Sequence, residues 1–192
     1  MVIAVDLDGV VFDSENYYRT YAHIYDLEVV KSGTYDKQEL NMFARHNWNK
    51  DNANEFYELY TQKVLEQAPI KPGAKYVLTK LKEMGHKLVC ITLRGYYREC
   101  EIDITEDRIK EAGIEFDKII YCADDKYNYC KKEGVSVIIE DNHSTLEKLS
   151  DKGIIGLHFR GAGLKKVEKD NVYEVQDWAD VLEYFLQEKN KK

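Results

Sequence analysis

The sequence predicts an α/β fold, a doubly wound parallel sheet with helices on both faces and a small α-helical insertion after the first strand. Short runs of β-branched and apolar residues alternate with longer stretches of helical periodicity along most of the 192 residues. Strands that are apolar throughout are typical of a parallel sheet buried on both faces. One long interval without a strand pattern interrupts this alternation and indicates the insertion.

Six segments have the composition of buried strands. Val, Ile and Leu dominate them, and turn-forming or charged residues bound them, as expected for strands in a sheet interior. The segments are residues 2–5, 87–92, 118–121, 136–140, 154–159 and, with a weaker pattern, 172–175.

Five further segments are predicted helices of the same domain. Four of them end near a glycine, which commonly terminates helices, and the last is amphipathic with Asp177 in the N-cap position. These helices cover residues 74–85, 105–113, 126–134, 144–153 and 177–189.

The interval between the first strand and Pro72 predicts a small helical cap. Aromatic residues and leucines recur there at helical spacings, and Pro72 with Gly73 marks the return to the sheet domain. Ligands bind at the carboxyl edge of open α/β sheets, so this insertion is expected to cover the site. The expected division is a core of residues 1–13 and 72–192 with a cap of residues 14–71, helical at about 15–27, 35–47 and 52–67.

Composition excludes some classes of partner. A net charge of -7 and a pI near 5.3 argue against binding of a nucleic-acid polymer. The four cysteines have no CxxC spacing and are expected to be reduced thiols. The N-terminal apolar run stops at Asp6, and no later run has the length of a membrane span. We expect a cytoplasmic protein without a membrane partner, and the sequence leaves the oligomeric state open.

The first strand ends in the stretch VIAVDLDGVVFD, which places Asp6 and Asp8 at a buried strand end. Removing a carboxylate from water costs several kcal/mol unless a cation compensates, so two carboxylates at one buried strand end indicate a compensating group nearby. Mg²⁺ is such a group, because it binds carboxylate, phosphate and water oxygens. The alternative is that Asp6 only caps a turn or a helix.

Other predicted strand ends deliver complementary groups to the same edge. Thr92 and Arg94 follow the second strand, Lys126 begins the helix before the fourth strand, and Glu140 with Asp141 ends that strand. Each has a local alternative, such as a helix cap, a solvated lysine or a turn. Their coincidence at one edge favours a phosphate site with a metal ion.

Together these residues resemble the four motifs of the haloacid dehalogenase (HAD) superfamily of phosphotransferases. The resemblance rests on DLDGVVFD, a Thr after the second strand, a Lys before the fourth and an acidic pair after it. It covers nearly the whole chain, with residues 14–71 in the place of the superfamily's smaller cap. The first motif is highly specific, whereas the Thr and Lys motifs are weak alone.

The resemblance implies a role for each matching residue. Asp6 matches the nucleophile that forms an aspartyl-phosphate, and Asp8 matches the general acid/base, whose task favours a raised pKa. Asp6, the backbone carbonyl of Asp8 and Asp141 would hold Mg²⁺. Thr92 and Lys126 would bind and neutralise the transferring phosphoryl group.

Three assignments stay open on the sequence alone. Glu140 either orients Lys126 or assists the metal through water. Lys131 and Lys132 are the alternatives to Lys126, and Arg94 either binds a phosphate or pairs with a nearby acid. An acid at the position of Asp8 favours a phosphate ester over a halide, but it does not separate a phosphatase from a phosphomutase.

The cap aromatics point to the substrate class. Most should form the cap's own core, but rings that face the site could stack on a base. The small cap and the stretch IIEDN look similar to the cytosolic 5'-nucleotidase and 5'(3')-deoxyribonucleotidase group, which implies a nucleoside monophosphate. Gly9, Trp48 and Tyr17 are further candidate substrate contacts. The alternatives are a sugar-phosphate or other small-metabolite phosphatase, a phosphomutase and a non-catalytic nucleotide sensor.

Overall fold

Six parallel strands form one sheet in the computed structural model, which describes residues 1–37, 39, 41–160 and 166–190, without the side chain of Asn190. This arrangement confirms the predicted α/β class, and each predicted strand is present within a residue or two. The strands are β1 (Val2–Val5), β2 (Lys87–Ile91), β3 (Lys118–Ile120), β4 (Val135–Glu140), β5 (Ile155–Phe159) and β6 (Val172–Val175).

The strand order is β3-β2-β1-β4-β5-β6, so β1 lies in the middle of the sheet between β2 and β4. Val5 is opposite Cys90 on one side and Ile139 on the other. The order of connection reverses at β1, and ligands bind beyond the carboxyl ends of the strands at such a point. The residues that follow β1, β2 and β4 therefore share one edge.

Eight α-helices accompany the sheet in the described residues. None of the helices in this part of the chain is both long and apolar enough to cross a membrane. They are α1 (Ser14–Tyr25), α2 (Met42–His46), α3 (Lys50–Gln67), α4 (Ala74–Glu83), α5 (Cys100–Ala112), α6 (Lys126–Glu133), α7 (His143–Ser150) and α8 (Trp178–Asn190).

Two helices differ most from the sequence prediction. α5 begins at Cys100 rather than at residue 105, and the Thr105 hydroxyl donates to the Glu101 carbonyl within the helix. α2 is shorter than expected, since Asn41 caps it at its N-terminus and left-handed Asn47 ends it. The predicted N-cap at Asp177 is confirmed, because its Oδ1 accepts hydrogen bonds from the backbone amides of Ala179 and Asp180 at 2.7 and 3.1 Å.

Both faces of the sheet are covered, as the predicted apolar strands require. Alternate residues of β1 serve the two faces: Ile3 and Val5 pack in the cluster under α4 and α8, and Ala4 packs in the cluster under α6 and α7. All three side chains are fully buried. β1 therefore has no solvated face, and its carboxyl end is fixed from both sides.

Helices α1 to α3, the helical insertion of residues 14–67, have an apolar cluster of their own around Tyr25, Trp48 and Phe56. The two chain segments that connect them to the sheet run side by side. The Asp13 amide donates to the Pro69 carbonyl, and the Lys71 amide donates to the Val11 carbonyl, at 2.9 and 2.8 Å. This pairing holds the first turn of α1 directly beside the residues that follow β1.

Trp178 links α8 to the loop that follows β1, and we expect its replacement to destabilise the fold. Its indole Nε1 donates to the Val10 carbonyl oxygen at 3.0 Å, and the side chain is 1% exposed. Trp178→Phe removes this bond and leaves unfilled volume, so the free energy of unfolding should fall by about 1–3 kcal/mol in urea unfolding. Leu186→Ala, on the same helix but 47% exposed, is the control. An equal loss in both variants would contradict the assignment.

Candidate active site

The loop that follows β1 keeps Asp6 and Asp8 at the sheet edge. The Leu7 carbonyl accepts hydrogen bonds from the amides of Val10, Val11 and Phe12 at 3.3, 2.9 and 2.9 Å. Such a tight turn prevents the chain from leaving the edge directly after the strand. The two aspartates are thereby separated by one buried leucine and lie at the same end of β1.

Lys126 lies between two carboxylates. Its Nζ is 2.9 Å from Asp6 Oδ1 and 2.6 Å from Glu140 Oε2, and its side chain is 12% exposed. Burial opposes the charged form, but Asp6 and Glu140 outweigh burial and raise the pKa of Lys126. Lys131 and Lys132 lie exposed on later turns of α6. The structure thus brings Lys126 to Asp6, and the two other lysines stay at the surface.

Glu140 has both carboxylate oxygens occupied. Oε1 accepts the backbone amides of Asp141 and Asn142 at 3.1 and 3.0 Å, and Oε2 accepts from Lys126. The residue is fully buried. Of the two roles left open by the sequence, this geometry fits the orientation of Lys126.

Asp6, Glu140 and Asp141 form an acidic cluster that fits a divalent cation. One ligand oxygen from each lies within 4.8 Å of the others. Burial and then the charge of Glu140 raise the pKa of Asp6 to about 7 and raise the pKa of Asp141 well above its usual value. Because the oxygens of Glu140 are occupied, Asp6 and Asp141 are the carboxylates that fit Mg²⁺, which prefers one or two carboxylates with water and phosphate oxygens.

Asp8 has a different partner from Asp6. Arg94 donates through Nε to Oδ2 at 2.9 Å and through Nη2 to Oδ1 at 2.6 Å, and the Ser14 hydroxyl also donates to Oδ1. Burial would raise the pKa of Asp8, but the charge and hydrogen bonds of Arg94, with the bond from Ser14, hold it below its usual value. The expectation of a raised pKa at Asp8 is therefore wrong for the protein without substrate.

Arg94 is itself held in place from the core. Its Nη1 donates to Thr105 Oγ1 at 3.0 Å, its guanidinium carbon lies 4.8 Å from the centre of the Phe12 ring, and the residue is 4% exposed. Of the two alternatives for Arg94, pairing with an acid is the one that the structure contains.

Thr92 follows β2 and is buried at the same edge. Its amide donates to the Ile120 carbonyl at 3.0 Å, which extends the strand pairing by one residue. Its Oγ1 accepts the Arg94 amide at 3.3 Å, and the side chain is 1% exposed. Thr92 is therefore the first residue after β2, as Asp6 is the first residue after the neighbouring β1.

The three tentative substrate contacts have different surroundings. A Cβ on Gly9 would lie 1.9 Å from Asp141 Oδ2, so Gly9 allows the approach of Asp141 to the β1 loop. Trp48 is 7% exposed in the core of the helical insertion and donates to Asp26 Oδ1 at 2.7 Å. Contrary to the expectation of a substrate contact, Trp48 therefore lies outside the site. Tyr17 is half-buried on α1 and stays a prediction.

The sequence analysis does not single out three sets of residues: Ser14, Tyr18, and Tyr96 with Tyr97. Ser14 directly follows DLDGVVFD, and that adjacency is the available signal. Tyr18 lies on α1, and burial and then the charge of Asp8 raise the pKa of its hydroxyl. Tyr96 and Tyr97, close after Arg94, are 50% and 77% exposed.

The fold is similar to that of solved structures of HAD-like enzymes over almost their whole length. A predicted phosphatase from Clostridium acetobutylicum matches with a TM-score of 0.69 at 15% identity, over 97% of this chain and 98% of that chain. A haloacid dehalogenase-like hydrolase from Streptococcus pneumoniae matches with a TM-score of 0.69 at 20% identity, over 96% and 97%. A D,D-heptose bisphosphate phosphatase from B. bronchiseptica, complexed with magnesium and phosphate, matches with a TM-score of 0.61 at 16% identity, over 97% and 98%.

These likenesses establish the fold that the sequence motifs led us to expect, with an insertion after β1 included in the matched length. No protein-family model and no curated protein gives a significant match to the sequence.

Gly9→Ala is expected to weaken metal binding while the fold persists. Gly9 has a φ of 73°, and the added Cβ would displace Asp141 from the β1 loop. Gly134→Ala is the matched control, because its φ of 69° is similar but no atom lies within 4 Å of the added Cβ. Titration calorimetry with Mg²⁺ should show affinity lowered by about tenfold or more in Gly9→Ala alone. Equal affinities in the two variants would contradict the role of Gly9.

Proposed function

We propose that the protein is a Mg²⁺-dependent phosphomonoester hydrolase that works through an aspartyl-phosphate on Asp6. The observation that carries the proposal is the contact of Lys126 with Asp6 and Glu140 beside Asp141, at the carboxyl edge of β1. A carboxylate nucleophile, an adjacent fixed cation and a metal-binding carboxylate are what phosphoryl transfer to an aspartate requires. The fold shared with HAD-like enzymes supports the same assignment.

The proposed reaction has two steps. In the first, an oxygen of Asp6 forms a bond to phosphorus while the ester P–O bond breaks, and the departing oxygen takes a proton from Asp8. In the second, water attacks the phosphorus of the aspartyl-phosphate and gives a proton to Asp8 while the bond between phosphorus and the Asp6 oxygen breaks. Inorganic phosphate then leaves, and Asp6 is restored. The negative charge of a bound phosphate counteracts Arg94 and raises the pKa of Asp8, which favours the protonated form that the first step needs.

The remaining groups would hold the transferring phosphoryl group. Asp6, the backbone carbonyl of Asp8 and Asp141 would bind Mg²⁺, which when bound neutralises charge on the phosphate oxygens. Lys126 adds a fixed positive charge, and Thr92 adds a hydroxyl donor. Glu140 keeps Lys126 directed at this position.

For the substrate we propose a nucleoside monophosphate. The rings of Tyr18 and Tyr57 lie 6.0 Å apart, and Tyr18 experiences the charge of Asp8. Burial and then Tyr97 raise the pKa of Tyr57 to about 12. A second, exposed pair of rings follows β2, where the centres of Tyr96 and Tyr97 are 5.0 Å apart. Such faces suit the stacking of a base at one end of a phosphate ester.

A sugar phosphate is the second candidate. One of the structural neighbours carries the name of a heptose bisphosphate phosphatase, and the hydroxyls of Tyr18, Tyr57 and Tyr97 suit polar contacts with a sugar. The catalytic residues would be the same for both substrate classes. Turnover therefore decides between them.

Phosphate release tests the proposed chemistry. We expect wild type to release inorganic phosphate only with Mg²⁺ present, and EDTA to abolish release. Asp6→Asn removes the nucleophile and should lower kcat by on the order of 10³ or more, with the fold unchanged in circular dichroism. Asp103→Asn, which changes an exposed acid on α5, is the matched control and should keep full activity. Full activity in Asp6→Asn would exclude the aspartyl-phosphate route.

The same assay on a panel of ribonucleotides, deoxyribonucleotides and sugar monophosphates tests the substrate class. Turnover concentrated on nucleotides supports the nucleotidase proposal, and turnover of sugar phosphates alone supports the second candidate. Isomerised phosphate ester without free phosphate would indicate a mutase. Nucleotide binding in calorimetry without any product would indicate a nucleotide sensor.

Mg²⁺ affinity is expected to weaken as the pH falls below about 7. The pKa of Asp6 lies near 7 and that of Asp141 is raised, so below this range a proton must leave before the metal binds. One displaced proton gives up to about tenfold weaker binding for each pH unit lost. Calorimetric titrations at several pH values measure this slope, and Asp141→Asn should reduce both affinity and slope. An affinity independent of pH would contradict the expectation.

A further inference from the structure

We propose that Arg94 and Ser14 are positioning residues that clamp Asp8 so that a single oxygen, Oδ2, exchanges the proton with the leaving group and with water. This inference rests on the proposed function and assigns an atom to its acid/base step.

The hydrogen bonds of the two oxygens of Asp8 differ. Oδ1 accepts from Arg94 Nη2 at 2.6 Å and from Ser14 Oγ at 2.5 Å. A carboxylate oxygen has about two lone-pair positions, so these two donors fill Oδ1. Oδ2 accepts one bond in the described structure, from Arg94 Nε at 2.9 Å, and keeps the other position open. The side chain of Asp8 is 36% exposed, so the carboxylate is not sealed from the site by its two partners.

The other contacts of Arg94 hold its guanidinium in this orientation. Its Nη1 donates to Thr105 at 3.0 Å, and Thr105 in turn donates to the Glu101 carbonyl one turn earlier in α5. Three nitrogen donors are thus directed at protein oxygens, and the planar group covers the Phe12 ring. A bidentate guanidinium fixes the plane of a carboxylate, which a lysine ammonium does not do.

Ser14 brings the second half of the clamp from the helical insertion. It is fully buried as the first residue of α1, and the preceding Asp13 is tied to Lys71 by an ion pair of 3.1 Å. Arg94 belongs to the sheet domain. The orientation of Asp8 therefore depends on both parts of the chain, and it holds only while α1 keeps its place beside β1.

The test compares leaving groups in Arg94→Lys and Ser14→Ala. An alkyl phosphate needs a proton on its departing oxygen, whereas p-nitrophenolate departs readily without one. We expect the single-turnover rate of aspartyl-phosphate formation from an alkyl phosphate to fall by about 10–100-fold in each variant, and the same rate from p-nitrophenyl phosphate to fall by less than about threefold. KM should change little, because the clamp does not touch the substrate. Asp8→Asn should show the same selectivity.

Arg108→Lys is the matched control. Arg108 also lies over the Phe12 ring, at 5.9 Å, but its Nη2 donates to the Ala68 carbonyl rather than to Asp8. We expect this variant to treat both leaving groups as wild type does. Thermal unfolding of every variant identifies loss of the fold, and if Arg94→Lys does not fold, Ser14→Ala, which removes one hydroxyl, decides alone.

Three results in an active wild-type background would overturn the clamp. A raised KM with kcat retained would make Arg94 a substrate-binding residue. An equal fall in the rate of aspartyl-phosphate formation with both leaving groups would exclude a role in protonating the leaving group, and unchanged kinetics in both variants would exclude any role. If wild type hydrolyses neither ester, the proposed function itself fails, and the clamp fails with it.

Discussion

The contact of Lys126 with Asp6 and Glu140 is the interaction on which the site depends. Three carboxylates, those of Asp6, Glu140 and Asp141, meet at a sheet edge from which water is largely removed. Without a cation their mutual repulsion and lost hydration would cost several kcal/mol for each ion. One lysine compensates part of this charge and leaves a net negative site. A divalent cation would supply the two positive charges that the site lacks and could itself bind phosphate oxygens, which is why the cluster suits metal-assisted phosphoryl transfer better than direct anion binding.

Two aspartates separated by a single leucine acquire opposite properties in this fold. Burial and then the charge of Glu140 raise the pKa of Asp6 to about 7, whereas Arg94 holds the pKa of Asp8 below its usual value. The difference comes from the sheet order, because β4 delivers acids on one side of β1 and β2 delivers an arginine on the other. Pairs of carboxylates with divergent environments are typical of sites that divide nucleophile and acid/base roles.

The sequence was sufficient for the pattern of strands and for most of the residues at the sheet edge, because apolar runs mark strands and parallel strands share a carboxyl edge. The sequence was insufficient where a side chain pairs with a residue that is distant along the chain. Arg94 and Asp8 are 86 positions apart, and nothing in the local pattern of either shows their pairing. The same holds for Trp48, whose spacing fits a cleft or a core equally well.

The side-by-side entry and exit of the helical insertion also bears on how such a protein diversifies. The chain leaves the sheet domain at Asp13 and returns at Lys71, and these residues touch through their side chains. An insertion with adjacent ends can be exchanged for another without altering the strand order. Chimaeras that keep α1 and replace the residues after it would retain the contact of Ser14 with Asp8 and receive a new surface around the sheet edge. Under the proposed function, the insertion beyond α1 could then vary with the substrate while the acidic edge stays the same.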